Sequence, residues 1–327
     1  MINNLPKKFL DKLNQIYNKT ELETIFKGFQ VIKRKVTFRV NTLKSTNKEI
    51  EDYLNSVGFL FKKLDYLDNG YILLEKQEKD LWDLDLFKDG KIYLQGITSQ
   101  FIGQILTLDL KEFKNKELKV LDLTASPGGK ITHIGALTKD EKELYANDLT
   151  SIRIDKIKYL TNKLGFENIN IIKNDARKLK DVFPKNSFDI IIADLPCSAE
   201  GRINLNKEKS YFYLNNKDVN KKNYKLQKEI LENNIELLKE GGILIYSTCT
   251  LDPLENEGIV HFLLSNNKDL ILEDISSFFD YKDLENIKKT GIKSYSKYIF
   301  QKDITKTIRL LPSENTEGFF IAKFRKI

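Results

Sequence analysis

Residues that secreted and metal-binding proteins need are scarce in this sequence. Its 327 residues include only two cysteines and two histidines. Two cysteines cannot form the disulfide framework of a small secreted domain, and two histidines offer little for a zinc site. We therefore predict an intracellular protein that holds no metal ion.

Long apolar runs are also missing. No segment approaches the roughly 18 apolar residues of a membrane-spanning helix, and the opening MINNLPKKFL lacks the apolar part of a signal peptide. These absences predict a cytoplasmic protein without a membrane segment. No feature indicates an oligomer, so a monomer is the default expectation.

The remaining composition indicates a folded, basic protein. Hydrophobic residues make up 41% and charged residues 31% of the chain, and the formal net charge is +7. The length suffices for one large or two modest domains. A positive charge suits a polyanion such as nucleic acid, although lysines on a solvated surface give the same value.

The first 90 residues lack the alternation of strands and helices that follows. Residues 36–40 alternate like a strand, and Thr46 and Glu49 form a capping box that begins a helix. The pattern predicts a small α+β domain over residues 1–90, in which the only tryptophan, Trp82, is expected in the core. Four basic side chains there are candidate phosphate contacts or, equally, a solvated face: Lys33, Arg34, Lys35 and Arg39.

A glycine turn organises the rest of the chain. The apolar run 119–123 leads into Ala125-Ser126-Pro127-Gly128-Gly129 and an apolar, helix-compatible segment, 131–137. Strand, turn and helix form the opening unit of a nucleotide-binding α/β domain. The spacing is neither G-x-G-x-x-G nor that of a Walker loop, which disfavours dinucleotides and triphosphates.

Acidic residues follow four successive predicted strands. They are Asp122, Asp148, Asp175 and Asp194. Carboxylates repel phosphate but suit hydroxyl groups and cations. S-adenosylmethionine fits this pattern, since it carries a ribose, an ammonium and a sulfonium but no phosphate.

Both cysteines follow predicted strands as well. Cys197 lies in ADLPCS and Cys249 in YSTCT. The carboxyl ends of parallel strands open on one edge of a sheet, where ligands bind. The sequence therefore predicts that the two thiols and the glycine turn serve one active site.

These motifs resemble the Nop/Sun (RsmB/RsmF-like) family of S-adenosylmethionine-dependent RNA cytosine-5 methyltransferases. Thr124, Ser126, Leu195 and Ala199 depart from the family pattern. The matching segments are Asp122-Leu123-Thr124-Ala125-Ser126-Pro127-Gly128-Gly129-Lys130, Asp194-Leu195-Pro196-Cys197-Ser198-Ala199-Glu200-Gly201, Ser247-Thr248-Cys249-Thr250, Glu255-Asn256-Glu257, Arg309-Leu310-Leu311-Pro312 and Glu317-Gly318-Phe319-Phe320.

The resemblance implies a fold and a domain division. Residues 91–327 are expected to form an α/β, Rossmann-like class I methyltransferase domain with a doubly wound, mostly parallel sheet. Residues 1–90 are expected to form a small α+β domain that contacts RNA. The implied substrate is a cytosine in rRNA or tRNA that is unpaired or flipped out of its stack.

The resemblance also implies the role of each site residue. Cys249 is the expected nucleophile for carbon 6 of cytosine, Cys197 assists product release, and Asp194 binds the cytosine edge. Lys130 is expected to help Cys249 ionise. The expected S-adenosylmethionine contacts are Thr124, Ala125, Ser126, Pro127, Gly128, Gly129, Lys130, Asp148, Arg153, Asp175 and Asp194.

Several alternatives stay open. A DNA cytosine-5 methyltransferase would use Cys197 as its nucleophile, and a ribosome-assembly factor would bind RNA without turnover. Residues 202–225 mix lysines with aromatic residues and predict either an RNA-contacting lid or a solvated loop. Glu255 and Glu257 are expected to cap and charge the next helix.

Overall fold

The computed structural model describes residues 5–112, 117–139, 141–216 and 218–327. The α-helices within these ranges are α1 (Lys7–Ile16), α2 (Lys19–Gln30), α3 (Asn47–Ser56), α4 (Glu78–Trp82), α5 (Asp85–Lys88), α6 (Ile97–Glu112), α7 (Gly129–Leu137), α8 (Ser151–Leu164), α9 (Val219–Asn234) and α10 (Ile259–Asn266). The strands are β1 (Thr37–Val40), β2 (Phe61–Lys63), β3 (Gly70–Leu73), β4 (Ile92–Leu94), β5 (Lys119–Asp122), β6 (Glu143–Asp148), β7 (Ile169–Lys173), β8 (Phe188–Asp194), β9 (Leu238–Thr248), β10 (Leu270–Glu273), β11 (Lys288–Thr290), β12 (Ser294–Tyr295), β13 (Tyr298–Ile299), β14 (Ile308–Leu310) and β15 (Phe319–Lys326).

The chain forms two compact units. The glycine-turn unit consists of the described parts of Lys35–Phe183 and Ser187–Ile192. The two-cysteine unit consists of the described parts of Met1–Arg34, Pro184–Asn186 and Ala193–Ile327.

The glycine-turn unit begins with a small antiparallel sheet in the order β2-β3-β1-β4. Helix α3 starts as predicted. The Thr46 side chain accepts from the backbone N–H of Glu49, and the Glu49 carboxylate accepts from the backbone N–H of Thr46. Phe38 stacks on Tyr71 in the core of this sheet. Two expectations are wrong here: Arg39 is fully buried, so it is no surface phosphate contact, and Trp82 is 51% exposed.

The same unit contains the predicted parallel strands. Strand β5 pairs in parallel with β6 and with β8, and β6 pairs in parallel with β7. The central strands β5 and β8 carry mostly buried apolar side chains, as expected for a parallel sheet covered on both faces, whereas every residue of β7 is at least partly exposed. Helix α8 buries Ile157 and Leu164 and ends at Gly165 in the left-handed conformation.

The two-cysteine unit is mainly antiparallel. Strand β15 pairs with β9, β10 and β14, and β14 pairs with β11. Gly241 and Gly242 lie inside β9 and do not interrupt it. Their neighbours Leu238 and Ile243 are buried, so the strand continues past the glycines.

The long helix of this unit, α9, spans Val219–Asn234 and continues as a 3₁₀ turn, Ile235–Leu237. None of the described helices is long and apolar enough to span a bilayer.

Candidate active site

The predicted glycine turn connects β5 to α7. The backbone N–H of Ala125 donates to the carbonyl of Asn147 at 2.8 Å, which holds the turn against β6. Gly128 has φ +110°, a conformation that L side chains rarely adopt, and its N–H donates to the Ala125 carbonyl. Pro127 at the apex is exposed. The turn thus presents its backbone at the start of a helix, where an anionic or polar ligand group is favoured.

Asp148 links the turn to α8. Its carboxylate is buried at the end of β6 and accepts from the backbone N–H of Ser126 at 3.0 Å. The guanidinium of Arg153 lies 2.7 Å from the other carboxylate oxygen. The structure therefore brings Ser126, Asp148 and Arg153 together as the predicted cofactor contacts require.

Two other strand-end acids have local partners. The Asp122 carboxylate is buried and accepts from the backbone N–H of Thr124 at 3.3 Å, so it supports the turn from within. Asp175 caps a 3₁₀ turn and pairs with Arg177, whose hydrogen bond holds the pKa of Asp175 below its ordinary value. This arginine contact was not predicted.

Lys130 is the second residue of α7, beside the Tyr93 ring. Burial raises the pKa of Tyr93, while the charges of Arg39 and Lys130 oppose that rise. Arg39 donates to Gln95 at 2.8 Å and to Thr132 at 3.0 Å. The Arg39 guanidinium therefore forms these hydrogen bonds inside the protein, at the base of the glycine turn.

The two-cysteine unit brings both thiols together. The Sγ atoms of Cys197 and Cys249 are 3.3 Å apart, a hydrogen-bond distance and too long for a disulfide. The hydrogen bond to Cys249, followed by burial, raises the pKa of Cys197 well above its ordinary value. Cys197 therefore keeps its proton to higher pH than a free thiol does, and either sulfur can donate to the other.

Two residues beside the thiols were not predicted as site residues. Arg202 pairs with Glu317, and its pKa rises through that carboxylate and through the negative charge that the two thiols can carry. The hydroxyl of Tyr213 is buried and makes no hydrogen bond to the described residues. Burial, followed by the charges of Glu200 and the thiols, raises the pKa of Tyr213. Both belong to the 202–225 segment, whose mixed composition was the only signal.

Asp194 ends β8 in this unit. The hydroxyl of Ser247 donates to its carboxylate at 2.7 Å. Asp194 is half-buried, and Ser247 belongs to the same Ser-Thr-Cys motif as Cys249. The hydrogen bond therefore links the two cysteine motifs.

Glu255 and Glu257 contradict the helix-capping expectation. Both side chains are fully buried on a π-helical turn, Leu254–Gly258, that precedes α10. Glu257 pairs with the buried guanidinium of Arg309. Glu255 accepts from the backbone N–H of Ser198 at 3.0 Å, directly after Cys197. A π-helical turn contains one more residue than an α-helical turn, and such turns occur often at functional sites.

A close backbone crossing holds the cysteine loops. The N–H of Gly201 donates to the Cys249 carbonyl at 2.9 Å, and the N–H of Gly318 donates to the Gly201 carbonyl at 2.9 Å. Ala199, at the position where the resembling family has glycine, has φ +53°. Although Ala199 replaces the family's glycine, the loop therefore keeps the left-handed conformation that glycine favours.

Comparison with known proteins adds family evidence to this geometry. A family model described as 16S rRNA methyltransferase RsmB/F matches residues 106–325. The chain belongs to the RsmB/F methyltransferase family. The probable ribosomal RNA small subunit methyltransferase B of Bacillus subtilis (strain 168) is 30% identical over 297 residues, which cover 90% of this chain and 61% of that protein.

Other RsmB/F relatives differ in length. The tRNA (cytosine(49)-C(5))-methyltransferase of Pyrococcus abyssi is 29% identical over 98% of this chain and 97% of that protein. The tRNA (cytosine(72)-C(5))-methyltransferase of Pyrococcus horikoshii is 34% identical over 76% of this chain. The chain spans only 61% and 55% of the lengths of the Bacillus subtilis and Pyrococcus horikoshii relatives.

A solved structure tests the fold. The methyltransferase homologue from Pyrococcus horikoshii matches with a TM-score of 0.79 at 28% identity, covering 99% of this chain and 96% of that one. The predicted Rossmann-like methyltransferase fold and the resemblance to the Nop/Sun, RsmB/F-like family are both confirmed.

Proposed function

We propose that this RsmB/F family member is an S-adenosylmethionine-dependent RNA cytosine-5 methyltransferase acting on rRNA or tRNA. The observation that carries the proposal is the 3.3 Å contact between the Cys197 and Cys249 sulfur atoms. An inert structural thiol needs no second thiol at this distance. A relative named as a ribosomal RNA small subunit methyltransferase and one named as a tRNA cytosine-C(5)-methyltransferase support the proposal.

The first step uses Cys249. Carbon 5 of cytosine is a weak nucleophile, so the enzyme first activates the ring. Cys249 releases its proton to solvent, and its thiolate forms a bond to carbon 6 while the electron pair of the ring double bond moves toward carbon 5. The Cys197 S–H donates to the Cys249 sulfur before attack, and Arg202 supplies a positive charge beside both thiols. The Asp194 carboxyl group holds the ring nitrogen and amino edge where charge develops.

The second half of the reaction uses Cys197. When bound, S-adenosylmethionine would supply an electrophilic methyl group for carbon 5. Once the Cys249 sulfur is a thioether, the Cys197 thiol releases its proton to solvent, and the Cys197 thiolate becomes available as a base. The carbon-5 proton passes to Cys197, the electron pair restores the ring double bond, and the bond from Cys249 to carbon 6 breaks.

The glycine-turn unit fits S-adenosylmethionine. Gly128 lacks the side chain that would strain the turn, and Asp148 is a buried carboxylate with lone pairs left for ribose hydroxyls. Asp175 offers a second carboxylate for the adenine amino group. Thr124 to Lys130 supply backbone groups for the methionine part.

We extend the proposal to the substrate and the setting. The target cytosine is unpaired or flipped out of its stack, which costs a few kcal/mol and is cheapest in loops. Residues 1–90 and the 202–225 segment contact the RNA. The protein acts as a cytoplasmic monomer.

Methyl transfer from tritium-labelled S-adenosylmethionine to unmodified cellular RNA tests the proposal. Wild type should yield labelled 5-methylcytosine, Cys249→Ala none, and Cys197→Ala a covalent RNA adduct. The reverse result, in which Cys249→Ala is active and Cys197→Ala inactive, would make Cys197 the nucleophile, as in a DNA cytosine-5 methyltransferase. Labelling of duplex DNA only, or bound cofactor without turnover on any RNA, would overturn the proposal.

A further inference from the structure

Glu255 contacts the backbone on which Cys197 is held. One oxygen of its buried carboxylate accepts from the Ser198 N–H at 3.0 Å and from the Gln227 side-chain amide at 3.0 Å. The same Gln227 amide donates to the carbonyl of Pro196 at 2.9 Å. Glu255 and Gln227 therefore fix the backbone on both sides of Cys197.

The other Glu255 oxygen faces a cluster of oxygen acceptors that outnumber the hydrogens available to bond them. The Asn220 amide nitrogen lies 2.8–3.2 Å from oxygens of Ser198, Glu200, Asp252 and Glu255, but it carries only two hydrogens. Lys12 pairs with two of these carboxylates, Glu200 and Asp252. Glu255 is thus the acid of this cluster without a cationic partner among its described contacts.

We propose that Glu255 is a positioning residue for Cys197, holding the Pro196–Ser198 backbone and placing a titratable charge next to the thiol. The proposal rests on the proposed function, in which Cys197 is the base of the release step. Gln227 is its bridging partner, because its one amide group joins the Glu255 carboxylate to the cysteine loop.

The electrostatics agree with this geometry. Burial, followed by the charge of Asp252, raises the pKa of Glu255 to about 8. Cys197 titrates higher, so Glu255 is ionised when the thiol loses its proton, and its charge opposes that loss. Several titratable groups surround Glu255, and they come from different elements. They are Lys12 on α1, Cys197 and Glu200 after β8, Tyr213 in the 202–225 segment, Tyr246 on β9, and Cys249 and Asp252 after β9.

Alkylation of Cys197 tests the proposal without RNA or cofactor. In a Cys249→Ser background Cys197 is the only thiol, and its reaction rate with iodoacetamide is measured against pH. Adding Glu255→Gln removes the charge but keeps an acceptor for the Ser198 N–H. The midpoint should fall by about one pH unit, which is about a tenfold faster reaction below the midpoint.

Two further variants complete the test. Gln227→Leu should move the midpoint in the same direction, since an unsupported Glu255 carboxylate ionises less readily. Glu273→Gln is the matched control, because Glu273 pairs with Lys323 and Arg325 and makes no described contact to the cysteine loop. An unchanged or higher midpoint in both Glu255→Gln and Gln227→Leu would overturn the inference.

A second readout separates this inference from the proposed function. With active enzyme, Glu255→Gln should shift the pH profile of adduct release to lower pH, whereas a merely structural role would lower activity equally at every pH. Absence of RNA methylation by wild type would overturn the proposed function, while the alkylation midpoint would still decide whether Glu255 controls Cys197.

Discussion

Gly201 and Gly318 pack backbone against backbone, joined by a 2.9 Å hydrogen bond from the Gly318 N–H to the Gly201 carbonyl. A Cβ atom on Gly201 would overlap the backbone of Gly318. Because Gly201 also donates to the carbonyl of Cys249, this crossing holds the backbone of the proposed nucleophile.

Gly201→Ala should therefore destabilise the protein and displace Cys249. Overpacking of this kind costs typically 1–3 kcal/mol, which urea unfolding would detect. Methyl transfer should fall further than the stability loss explains, since the Cys249 carbonyl must move. Gly258→Ala is the control, because its Cβ would make only ordinary contacts of 3.5 Å or more. Equal behaviour of the two variants would contradict the prediction.

The buried pair of Glu257 and Arg309 predicts a large stability effect. The Arg309 Nε donates to Glu257 at 2.6 Å, and its Nη1 donates to the Tyr17 hydroxyl at 2.8 Å. Burial alone would lower the pKa of Arg309, but the charge of Glu257 raises it above its ordinary value. Glu257→Gln leaves that guanidinium buried without a counter-charge.

Removing one partner of such a pair costs about 3–5 kcal/mol. We expect Glu257→Gln to lower the free energy of unfolding by that amount in urea titrations. Asp52→Asn breaks an exposed pair with Lys48 and should change it by less than about 1 kcal/mol. A small effect at Glu257 would mean that the pair is not closed in solution.

Gly128 carries a prediction about the cofactor. An alanine there would be strained at φ +110°, at a cost of about 1–2 kcal/mol, and the turn would shift. S-adenosylmethionine affinity, measured by calorimetry without RNA, should fall about tenfold or more. Gly96→Ala is the control, because no atom lies within 4 Å of its Cβ position. Unchanged affinity in Gly128→Ala would show that the conformation of this turn does not determine cofactor binding.

Local patterns predicted the parts of the site that depend on neighbours in sequence. The run 119–137 yields β5, the turn and α7, and the capping box at Thr46 begins α3. In both cases the signal lies within about twenty consecutive residues, where turn chemistry and apolar spacing decide the structure.

Partners distant in sequence could not be predicted in this way. Glu255 and Glu257 looked like helix-end charges, but their partners Ser198 and Arg309 lie more than 50 residues away. Trp82 ends the five-residue helix α4, which is too short for an apolar period to show which side chains face the core. The buried partners of the thiol loops therefore emerge only from the tertiary structure.

The raised pKa of Glu255 predicts how stability depends on pH. Its pKa is about 8 in the folded protein and near 4.5 when exposed. Between these values the folded state keeps a proton that the unfolded state has released, so stability falls as pH rises through this window. The loss from this group is about 1.4 kcal/mol per pH unit and ends above pH 8.

Urea unfolding at pH 5.5 and 7.5 measures this effect. Wild type should lose roughly 2–3 kcal/mol more between the two pH values than Glu255→Gln, which cannot titrate. Glu273→Gln should keep the wild-type slope, because the hydrogen bonds of Arg325 and Lys323 hold the pKa of Glu273 below its ordinary value, outside the window. Equal slopes in wild type and Glu255→Gln would show that the Glu255 carboxylate is already ionised at pH 5.5, and that its buried contacts to Ser198 and Gln227 hold a charge throughout.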